Sequence, residues 1–504
     1  MTTRRETLAL LGGSAFGATA LGGDAPATTD GDPFDEHDAL GLGELVRRRK
    51  VSAADLLGFA LRRAERVESA IRSIVVHDEA AARRQLANGM PNGPFAGVPF
   101  LLKDLGVALG GTVTTSGSRY FAGERASDDD EIVRRHKRAG LVIFGKTASP
   151  ELGLTGTTES KLHGSTRNPW NTERTAGGSS GGAAAAVAAR IVPIAHASDG
   201  AGSIRTPASC CGVFGLKPSR ARIPFGPRRF EEWNGCGTQH AVSLTVRDSA
   251  ALLDATAGPE PGSPYLTLPP TRPFLQEVGA PPGRLRVALV TRPMSGASVH
   301  PDCLRAVNEA ARLLENLGHH VEPASLPVDF QSTNDGMFAT LCVSTLAALQ
   351  ERQRTLGRAW TESDIESVTW RLAEMGRTMG GVAYAAARAA FDLAGREMAR
   401  FHERYDVVLQ PTLAQPPVAI GVLSLSPVDF DAYVRDVTAF GPFTALYNMT
   451  GQPAMSVPLH WSGEGLPIGV MFAAAFGEEA RLIRLAAQLE AAHPWRKRRP
   501  PRPI

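Results

Sequence analysis

Two serines lie in glycine-rich stretches of this 504-residue sequence. Ser179 lies inside the run 177–182, GGSSGG, and Ser203 follows the tripeptide Gly-Ala-Gly at 200–202. Glycine adopts positive φ at no steric cost, so the backbone beside each hydroxyl can approach a ligand closely. Successive N–H groups in such a segment can also converge on an anion. The two stretches therefore indicate nucleophilic chemistry at a serine.

The residues between the two serines predict a packed structure. Residues 183–189 are an alanine-rich run that favours a smooth helix lying against a sheet, and IVPIA at 191–195 is apolar enough to be buried. A flexible Gly/Ser linker is the alternative, but linkers do not bury such residues.

These stretches and the segment GVPFLLKD at 97–104 resemble the amidase signature family. That family joins a lysine, a bridging serine in GGSSGG and a nucleophilic serine followed by I-R-x-P, and the matching residues are Lys103, Ser179 and Ser203. The spacings of 76 and 24 residues also match, and the resemblance covers nearly all of the chain beyond the first thirty-odd residues. STRNPWN, GLKP and the closing PWRKRRP look most like bacterial 6-aminohexanoate-cyclic-dimer hydrolases.

The resemblance implies a proton relay in which Lys103 takes a proton from Ser179 and Ser179 takes one from Ser203. A serine hydroxyl needs a base within hydrogen-bond reach, and the one histidine near these motifs, His196, is expected to be a packed side chain. Lysine serves as a base only when neutral, and at its ordinary pKa only about 0.1% is neutral at pH 7.4. Burial after the apolar run 98–102 would lower the pKa of Lys103. Asp104 would raise it, so its side chain is expected to point elsewhere.

The resemblance also assigns supporting roles. The backbone N–H groups of Gly200, Ala201, Gly202 and Ser203 are the expected oxyanion hole. Gly177 and Gly178 are expected to present backbone atoms to substrate, and a cis peptide bond is expected before Ser179. Asp199 and Arg205 are expected to fix the nucleophile loop by ion pairing. Two residues depart from the family pattern: Ala201 replaces a glycine, and Met471 replaces a glutamine.

The resemblance implies an α/β protein with the amidase signature fold, a central mixed β-sheet covered by helices on both faces. Apolar periodicity and turn residues predict its individual helices and strands. We expect one domain over 31–504, with an N-terminal helical region (38–90), a catalytic core (91–260) and a helical insertion (335–402) broken at Gly357 and at glycines 380 and 381. Ser52 and Asp55 predict a capping box. Strands are expected at 97–102, 141–144, 285–290, 405–411, 454–459 and 468–472. Helices are expected at 130–140, 249–257, 302–317 and 478–492, and 168–174 is expected to be a polar loop.

Composition excludes several function classes. A net charge of +3 gives no electrostatic case for nucleic acid or an anionic membrane surface. The five cysteines, at 210, 211, 236, 303 and 342, show no metal-ligand spacing. No metal or other cofactor is therefore expected. The resemblance implies that the partner is a small-molecule amide substrate. The sequence leaves both a monomer and a homodimer open.

The first thirty residues predict a twin-arginine export signal. Arg4 and Arg5 precede a weakly apolar run of about 14 residues, which is shorter than the ~20 that span a bilayer. A disordered basic N-terminus is the alternative. The expected location is periplasmic or extracellular.

Two further motifs match other folds. Residues 140–147 fit the phosphate loop G-x-x-x-x-G-K-[ST], but their four variable residues read as a strand, whereas a phosphate cradle is a loop. Gly177, Ser179 and Gly181 fit the G-x-S-x-G nucleophile elbow, with His460 or His493 as a candidate base.

The sequence thus predicts an amidase that forms an acyl-serine intermediate, acting on 6-aminohexanoate cyclic dimer or another small carboxylic amide. A general acylamide or aryl-amide amidase, an amidotransferase A-type subunit and a non-catalytic binding protein are the alternatives.

Overall fold

The computed structural model describes residues 31–501, which form a mixed α/β architecture. The export-signal prediction for 1–30 lies outside the described residues. The helices are α1 Ala39–Arg47, α2 Ala53–Ile71, α3 Glu79–Ala87, α4 Glu131–Arg138, α5 Gly181–Ala188, α6 Arg205–Cys211, α7 Val246–Thr256, α8 Pro301–Asn316, α9 Phe330–Leu356, α10 Ser367–Thr378, α11 Gly381–Arg404, α12 Phe430–Phe440, α13 Leu446–Met449 and α14 Glu479–Ala492.

The strands belong to one large sheet, one small sheet and two short hairpins. They are β1 Ile74–His77, β2 Pro99–Lys103, β3 Val142–Thr147, β4 Glu159–Ser160, β5 Gly164–Ser165, β6 Arg167–Asn168, β7 Asn171–Thr175, β8 Ile194–Asp199, β9 Phe214–Lys217, β10 Thr238–Ser243, β11 Arg286–Leu289, β12 His320–Pro323, β13 Val407–Pro411, β14 Ala454–Trp461 and β15 Pro467–Ala474.

The large sheet has eight strands in the order β12-β11-β13-β15-β14-β9-β10-β8. β11 pairs in parallel with β12 and β13, and the other neighbours are antiparallel. The small sheet has the order β1-β3-β2, with β2 and β3 parallel. The backbone N–H of Lys103 on β2 donates to Nδ1 of His196 on β8 at 3.2 Å, so a histidine ring links the two sheets.

Side chains on the central strands alternate between two apolar layers. On β15, Val470 and Phe472 pack with α8 and α14, whereas Met471 and Ala473 pack with α11 and α13 on the opposite face. Strands buried on both faces read as continuous hydrophobic runs, which is why β13, β14 and β15 are evident in the sequence. The predicted central mixed sheet with helices on both faces is confirmed.

Helix α5 positions the glycine-rich stretch. All eight of its residues are buried, and it packs against β2, β3 and β8. A Cβ on Gly182 would lie 2.4 Å from the backbone nitrogen of Ala148, so only glycine permits this approach. This close packing rules out a flexible linker.

Several local predictions are confirmed. Ser52 and Asp55 form the capping box of α2. Gly357 ends α9 in the left-handed conformation with φ 68°, and Gly380 is the N-cap of α11. α9 packs against both α10 and α11, and this three-helix unit runs from Phe330 to Arg404, a few residues beyond the predicted bounds.

One prediction was wrong in kind. Residues 168–174 were expected to be a loop, but β6 and β7 form a hairpin there. β7 is largely exposed apart from its last residue, Thr175, so its sequence, NTERT, lacks the apolar alternation that marks a half-buried strand.

Candidate active site

Lys103 ends strand β2 inside the protein. Its side chain is fully buried, and its Nζ lies 2.8 Å from Oγ of Ser179 and 3.0 Å from Oγ of Ser198. The apolar run that precedes it forms the buried strand and leaves the amine at the strand end. The structure therefore brings the predicted lysine and the predicted bridging serine together.

Burial lowers the pKa of Lys103 to about 7, because removal from water penalises the ammonium form. The negative charges of Asp199 and Glu232 act in the opposite direction, but they do not cancel the effect of burial. Near neutral pH a large fraction of Lys103 is thus uncharged, with a lone pair that can accept a proton from a hydroxyl at 2.8 Å. This is the protonation state that a general base requires.

Asp104 does not face this amine. Its carboxylate accepts hydrogen bonds from the backbone N–H and the hydroxyl of Thr115. Burial raises the pKa of Asp104 to about 6. The side chain thus points elsewhere, as expected from the sequence.

Ser179 is presented by a tightly packed turn. The peptide bond between Gly178 and Ser179 is cis, as the resemblance implied. A Cβ on Gly178 would lie 2.1 Å from the carbonyl oxygen of Thr157, and a Cβ on Gly177 would lie 2.7 Å from Cα of Pro207. Both glycines are thus packed against neighbouring backbone and are absent from the cavity lining, which includes Ser179. This placement gives no support to their expected role in contacting substrate.

The loop that carries Ser203 is fixed by Asp199. The Asp199 carboxylate accepts hydrogen bonds from the N–H of Gly202 at 2.7 Å and of Ile204 at 3.0 Å, on either side of Ser203. It also forms a fully buried ion pair with Arg205 at 2.9 Å. Burial alone would raise the pKa of Asp199, but the charge and hydrogen bonds of Arg205 hold it well below its ordinary range.

Asn448 completes this network, and no motif in the sequence assigned it a role. Its Nδ2 donates to the carbonyl and the carboxylate of Asp199 at 3.0 and 2.9 Å, and its Oδ1 accepts from Arg205 at 2.6 Å. Asn448 belongs to the NMTGQP segment before β14, and nothing in that segment indicates a contact with Asp199. Ser198, which contacts Lys103, was also missed, because it lies at an ordinary position within a strand.

The expected oxyanion donors are not equivalent. The Gly202 N–H is already engaged by Asp199, so it is removed from the set, and Gly200, Ala201 and Ser203 remain. Gly202 has φ 133° and Gly200 and Ala201 do not have positive φ. Alanine at 201 therefore carries no backbone strain, and its methyl group packs against the apolar layer that contains Met337 and Phe391.

Met471, the other departure from the family pattern, lies behind the same loop. Its sulfur accepts a hydrogen bond from Arg205 at 3.4 Å. The side chain therefore supports the buried arginine from the sheet.

A cavity of about 670 Å³ opens over Ser179 and Ser203, a volume typical of small-molecule sites. One wall is the face of α9 that carries Ser344, Ala347 and Ala348, and Trp233 lies on another. Gly153 packs so closely that an added Cβ would lie 3.2 Å from Oγ of Ser179. Because α9 belongs to the long helical insertion, the insertion forms part of the wall of the site.

The two motifs that match other folds do not form the sites of those folds. Residues 142–147 are strand β3, and the Lys146 amine donates to the Val113 carbonyl at 2.6 Å, which excludes a phosphate loop. His460 pairs with Glu309 at 2.8 Å, and neither His460 nor His493 lines the cavity, so the elbow interpretation lacks its base. His196 is a buried linker between the sheets, and burial lowers its pKa to about 3.

In the described part of the chain, no cysteine forms a disulfide bridge. The cysteines at 210, 211, 236, 303 and 342 are buried and free, so the adjacent pair does not form a bridge. Within residues 31–501, no helix combines the length and the apolar character that crossing a membrane requires.

A model of the Amidase family matches residues 55–483. The chain belongs to the amidase signature family. It is 39% identical over 475 residues to a 6-aminohexanoate-cyclic-dimer hydrolase of Paenarthrobacter ureafaciens, covering 92% of this chain and 96% of the relative. It is therefore an amide-hydrolysing enzyme.

Two solved structures place the fold in the same family. A 6-aminohexanoate cyclic dimer hydrolase complexed with substrate superposes with a TM-score of 0.87 at 36% identity, over 92% of this chain and 98% of that one. A bacterial aryl acylamidase superposes with a TM-score of 0.84 at 27% identity, over 92% of this chain and 98% of that one.

Proposed function

We propose that this amidase cleaves a small carboxylic amide through an acyl-Ser203 intermediate, and that 6-aminohexanoate cyclic dimer or a related oligomer is its substrate. The observation that carries the proposal is the fully buried Lys103 amine, 2.8 Å from the hydroxyl of Ser179, with a pKa of about 7. A serine relay needs such an uncharged amine at neutral pH.

The proposed relay passes protons towards Lys103 while Ser203 attacks the amide and passes them back when the carbon–nitrogen bond breaks. Neutral Lys103 takes the proton of Ser179, Ser179 takes that of Ser203, and Ser203 Oγ forms a bond to the amide carbon. The carbonyl π electrons move onto the oxygen, where the N–H groups of Gly200, Ala201 and Ser203 are the candidate donors. Each donor of this kind is typically worth 10²–10³ in rate.

Collapse of the tetrahedral intermediate breaks the carbon–nitrogen bond. The relay returns its proton to the departing nitrogen, because an amine anion leaves very poorly. A water molecule then gives its proton to the same relay and attacks the acyl carbon. This step breaks the ester bond to Ser203, regenerates the serine and releases the acid. Each cycle consumes one amide and one water.

The similarity and the cavity support the choice of substrate. The alignment with the cyclic-dimer hydrolase named above covers 96% of that relative. A 670 Å³ cavity has room for a two-unit amide. A preference for aryl amides is the second candidate, and the similarity to an aryl acylamidase favours it.

A panel of amide substrates, with Ser203→Ala as the control variant, tests the proposal. The wild type is incubated with 6-aminohexanoate cyclic dimer, 6-aminohexanoate linear dimer, an anilide and glutamine, and the acids and amines released are quantified by mass spectrometry. We expect the cyclic dimer to give the highest kcat/KM, and Ser203→Ala to abolish both turnover and labelling by a fluorophosphonate. Rapid labelling of Ser203→Ala would refute the assigned nucleophile, and preferred cleavage of the anilide would establish the second candidate.

Glutamine tests the amidotransferase alternative. Glutamine cleavage that appears only with a co-purified partner subunit would support that alternative over a self-sufficient amidase. Light scattering of the same preparation measures whether the protein is a homodimer.

We further propose export by the twin-arginine route, on the basis of Arg4, Arg5 and the apolar run that follows. Replacement of both arginines by lysine should retain the full chain in the cytoplasm of a host that has this pathway. An unchanged distribution between the periplasm and the cytoplasm would contradict this.

A further inference from the structure

We infer that Trp233 sets the acyl specificity of this site by excluding substrates that branch at the carbon next to the carbonyl. This inference deepens the proposed function and rests on it. Trp233 lines the same cavity as Ser203 and Gly200. The six-membered part of its indole lies against the nucleophile loop: a Cβ on Gly200 would lie 2.7 Å from Cε3 and 2.9 Å from Cζ3.

The backbone around Trp233 holds the indole in this position. Trp233, Asn234 and Gly235 form a 3₁₀ turn in which all three have positive φ, at 50°, 55° and 83°. A bulky residue in that conformation costs conformational free energy and persists only where its surroundings impose it. The carbonyl of Glu232 accepts the N–H of both Gly235 and Gly237 at 3.1 Å, which closes the turn.

Packing against the helical insertion also restrains the indole. Trp233 is half-buried and packs, like Ala201, against the apolar layer that contains Met337 of α9 and Phe391 of α11. The Asn448 side chain, which also binds Asp199, donates to the Cys236 carbonyl at 3.0 Å and ties the end of the turn to the nucleophile loop. The indole is therefore a rigid wall fixed between the helical insertion and the loop that carries Ser203.

This wall limits what can surround the reacting carbon. A carbonyl oxygen held by the N–H of Gly200 brings the adjoining carbon within about 4 Å of that backbone, the range of van der Waals contact. The indole lies over the same backbone, so a CH₂ group fits beside it and an added methyl group meets the ring. Farther away, Ser344, Ala347 and Ala348 of α9 are small and leave room for length. The site therefore favours long, unbranched acyl chains.

Paired substrates test this directly. The 4-nitroanilides of hexanoic acid and 2-methylhexanoic acid differ by one methyl group at the critical carbon. We expect the wild type to prefer the unbranched substrate by about 100-fold in kcat/KM, within the range by which one methyl group discriminates in a tight pocket. Trp233→Ala should reduce that ratio at least tenfold by raising the rate on the branched substrate, and Trp233→Phe should fall between.

Trp370→Phe is the matched control. Trp370 lies on α10 of the same insertion and is absent from the cavity lining. The Trp370→Phe variant should therefore show the same ratio of kcat/KM on the unbranched and branched anilides as the wild type. Retained fluorophosphonate labelling shows that each variant keeps its nucleophile. An unchanged ratio in a Trp233 variant that still labels overturns the inference and leaves the proposed function intact.

A binding measurement separates the two proposals further. In Ser203→Ala protein, calorimetry compares hexanamide with 2-methylhexanamide, with and without Trp233→Phe. Preference for hexanamide that shrinks with Trp233→Phe supports the wall, even if the relay proposed for Lys103 fails its own tests. Equal affinity for both amides in the presence of Trp233 refutes it.

Discussion

Asp199 and Arg205 form an ion pair at 2.9 Å in which neither side chain has any exposed surface. The same carboxylate binds the backbone on both sides of the proposed nucleophile. The pair therefore couples the end of strand β8 to the geometry of the loop that carries Ser203.

Removing one charge of this pair should be costly. We expect Asp199→Asn to lower the free energy of unfolding by about 3–5 kcal/mol, because it leaves the Arg205 guanidinium buried without its counterion. Urea unfolding followed by circular dichroism measures this change. Glu374→Gln breaks the exposed pair between Arg377 and Glu374 and should change stability by less than about 1 kcal/mol. Equal effects of the two substitutions would contradict the assigned importance of burial.

The pKa of Lys103 predicts the acid limb of the rate profile. Because the amine must be neutral to accept a proton and its pKa is about 7, kcat/KM should rise with pH and level off above about pH 7. Fluorophosphonate labelling should follow the same curve, since it needs the same base. Lys103→Arg, which stays protonated, should be inactive throughout. A profile that is flat from pH 5.5 to 8 would exclude Lys103 as the base.

Much of this arrangement could be predicted from the sequence, because its causes are local. The apolar run before Lys103 forms a buried strand, and the glycines around Ser179 permit contacts that a Cβ would block. The proposed role of Lys103 as a base comes from the family motif, whereas its depressed pKa depends on burial that only the fold produces. Long-range contacts were inaccessible: Asn448 reaches Asp199 across 249 residues, and nothing near either residue indicates this pairing.

Two further elements escaped prediction. β12 is short and has no apolar alternation, with the residues HVEP, so its pairing with β11 determines the strand. α12 was missed although its apolar residues recur at helical spacing from Phe430 to Phe440. The contact between Trp233 and Gly200 could not be predicted either, because a tryptophan in a loop rich in Arg and Gly carries no sequence signal for it.

Burial of Lys103 should also change how the free energy of unfolding depends on pH. Its pKa is about 7 in the folded state and 10.5 as the ordinary value. Between these values the unfolded chain binds more protons, so the stability that burial costs is recovered as pH rises from 7 towards 10.5. Lys103→Met should therefore be more stable than the wild type by up to about 4 kcal/mol at pH 7, with a difference that shrinks towards pH 10.

Chemical denaturation of both proteins across this pH range measures that difference. Lys50→Met removes an exposed lysine and is the matched control for the same substitution at a surface position. A Lys103→Met offset that stays constant across this pH range would show that the amine is not desolvated in the folded protein.

The two hydroxyls beside Lys103 should differ in importance. Both hydroxyls belong to residues that line the cavity with Ser203. Ser179, in the glycine-rich turn, lies 2.8 Å from Nζ of Lys103, and Ser198, within β8, lies 3.0 Å from it. Ser179→Ala should lower kcat on an amide by 10³-fold or more, because it interrupts the relay. Ser198→Ala should cost about tenfold, since it removes one orienting hydrogen bond of about 1 kcal/mol. Similar losses in both variants would contradict a sequential relay through Ser179.

The two small residues before Ser203 should respond in opposite ways to a change of one methyl group. Gly202 has φ 133°, and a Cβ there would lie 2.4 Å from the Thr444 hydroxyl. Gly202→Ala should therefore displace the loop and abolish labelling of Ser203. Ala201 has no positive φ and its methyl group packs in the apolar layer, so Ala201→Gly should keep its activity within about threefold and lose about 1 kcal/mol of stability through added backbone freedom. Thermal unfolding and fluorophosphonate labelling measure both outcomes. Full labelling of Gly202→Ala would show that the loop tolerates the clash and that its left-handed geometry is not required for the nucleophile.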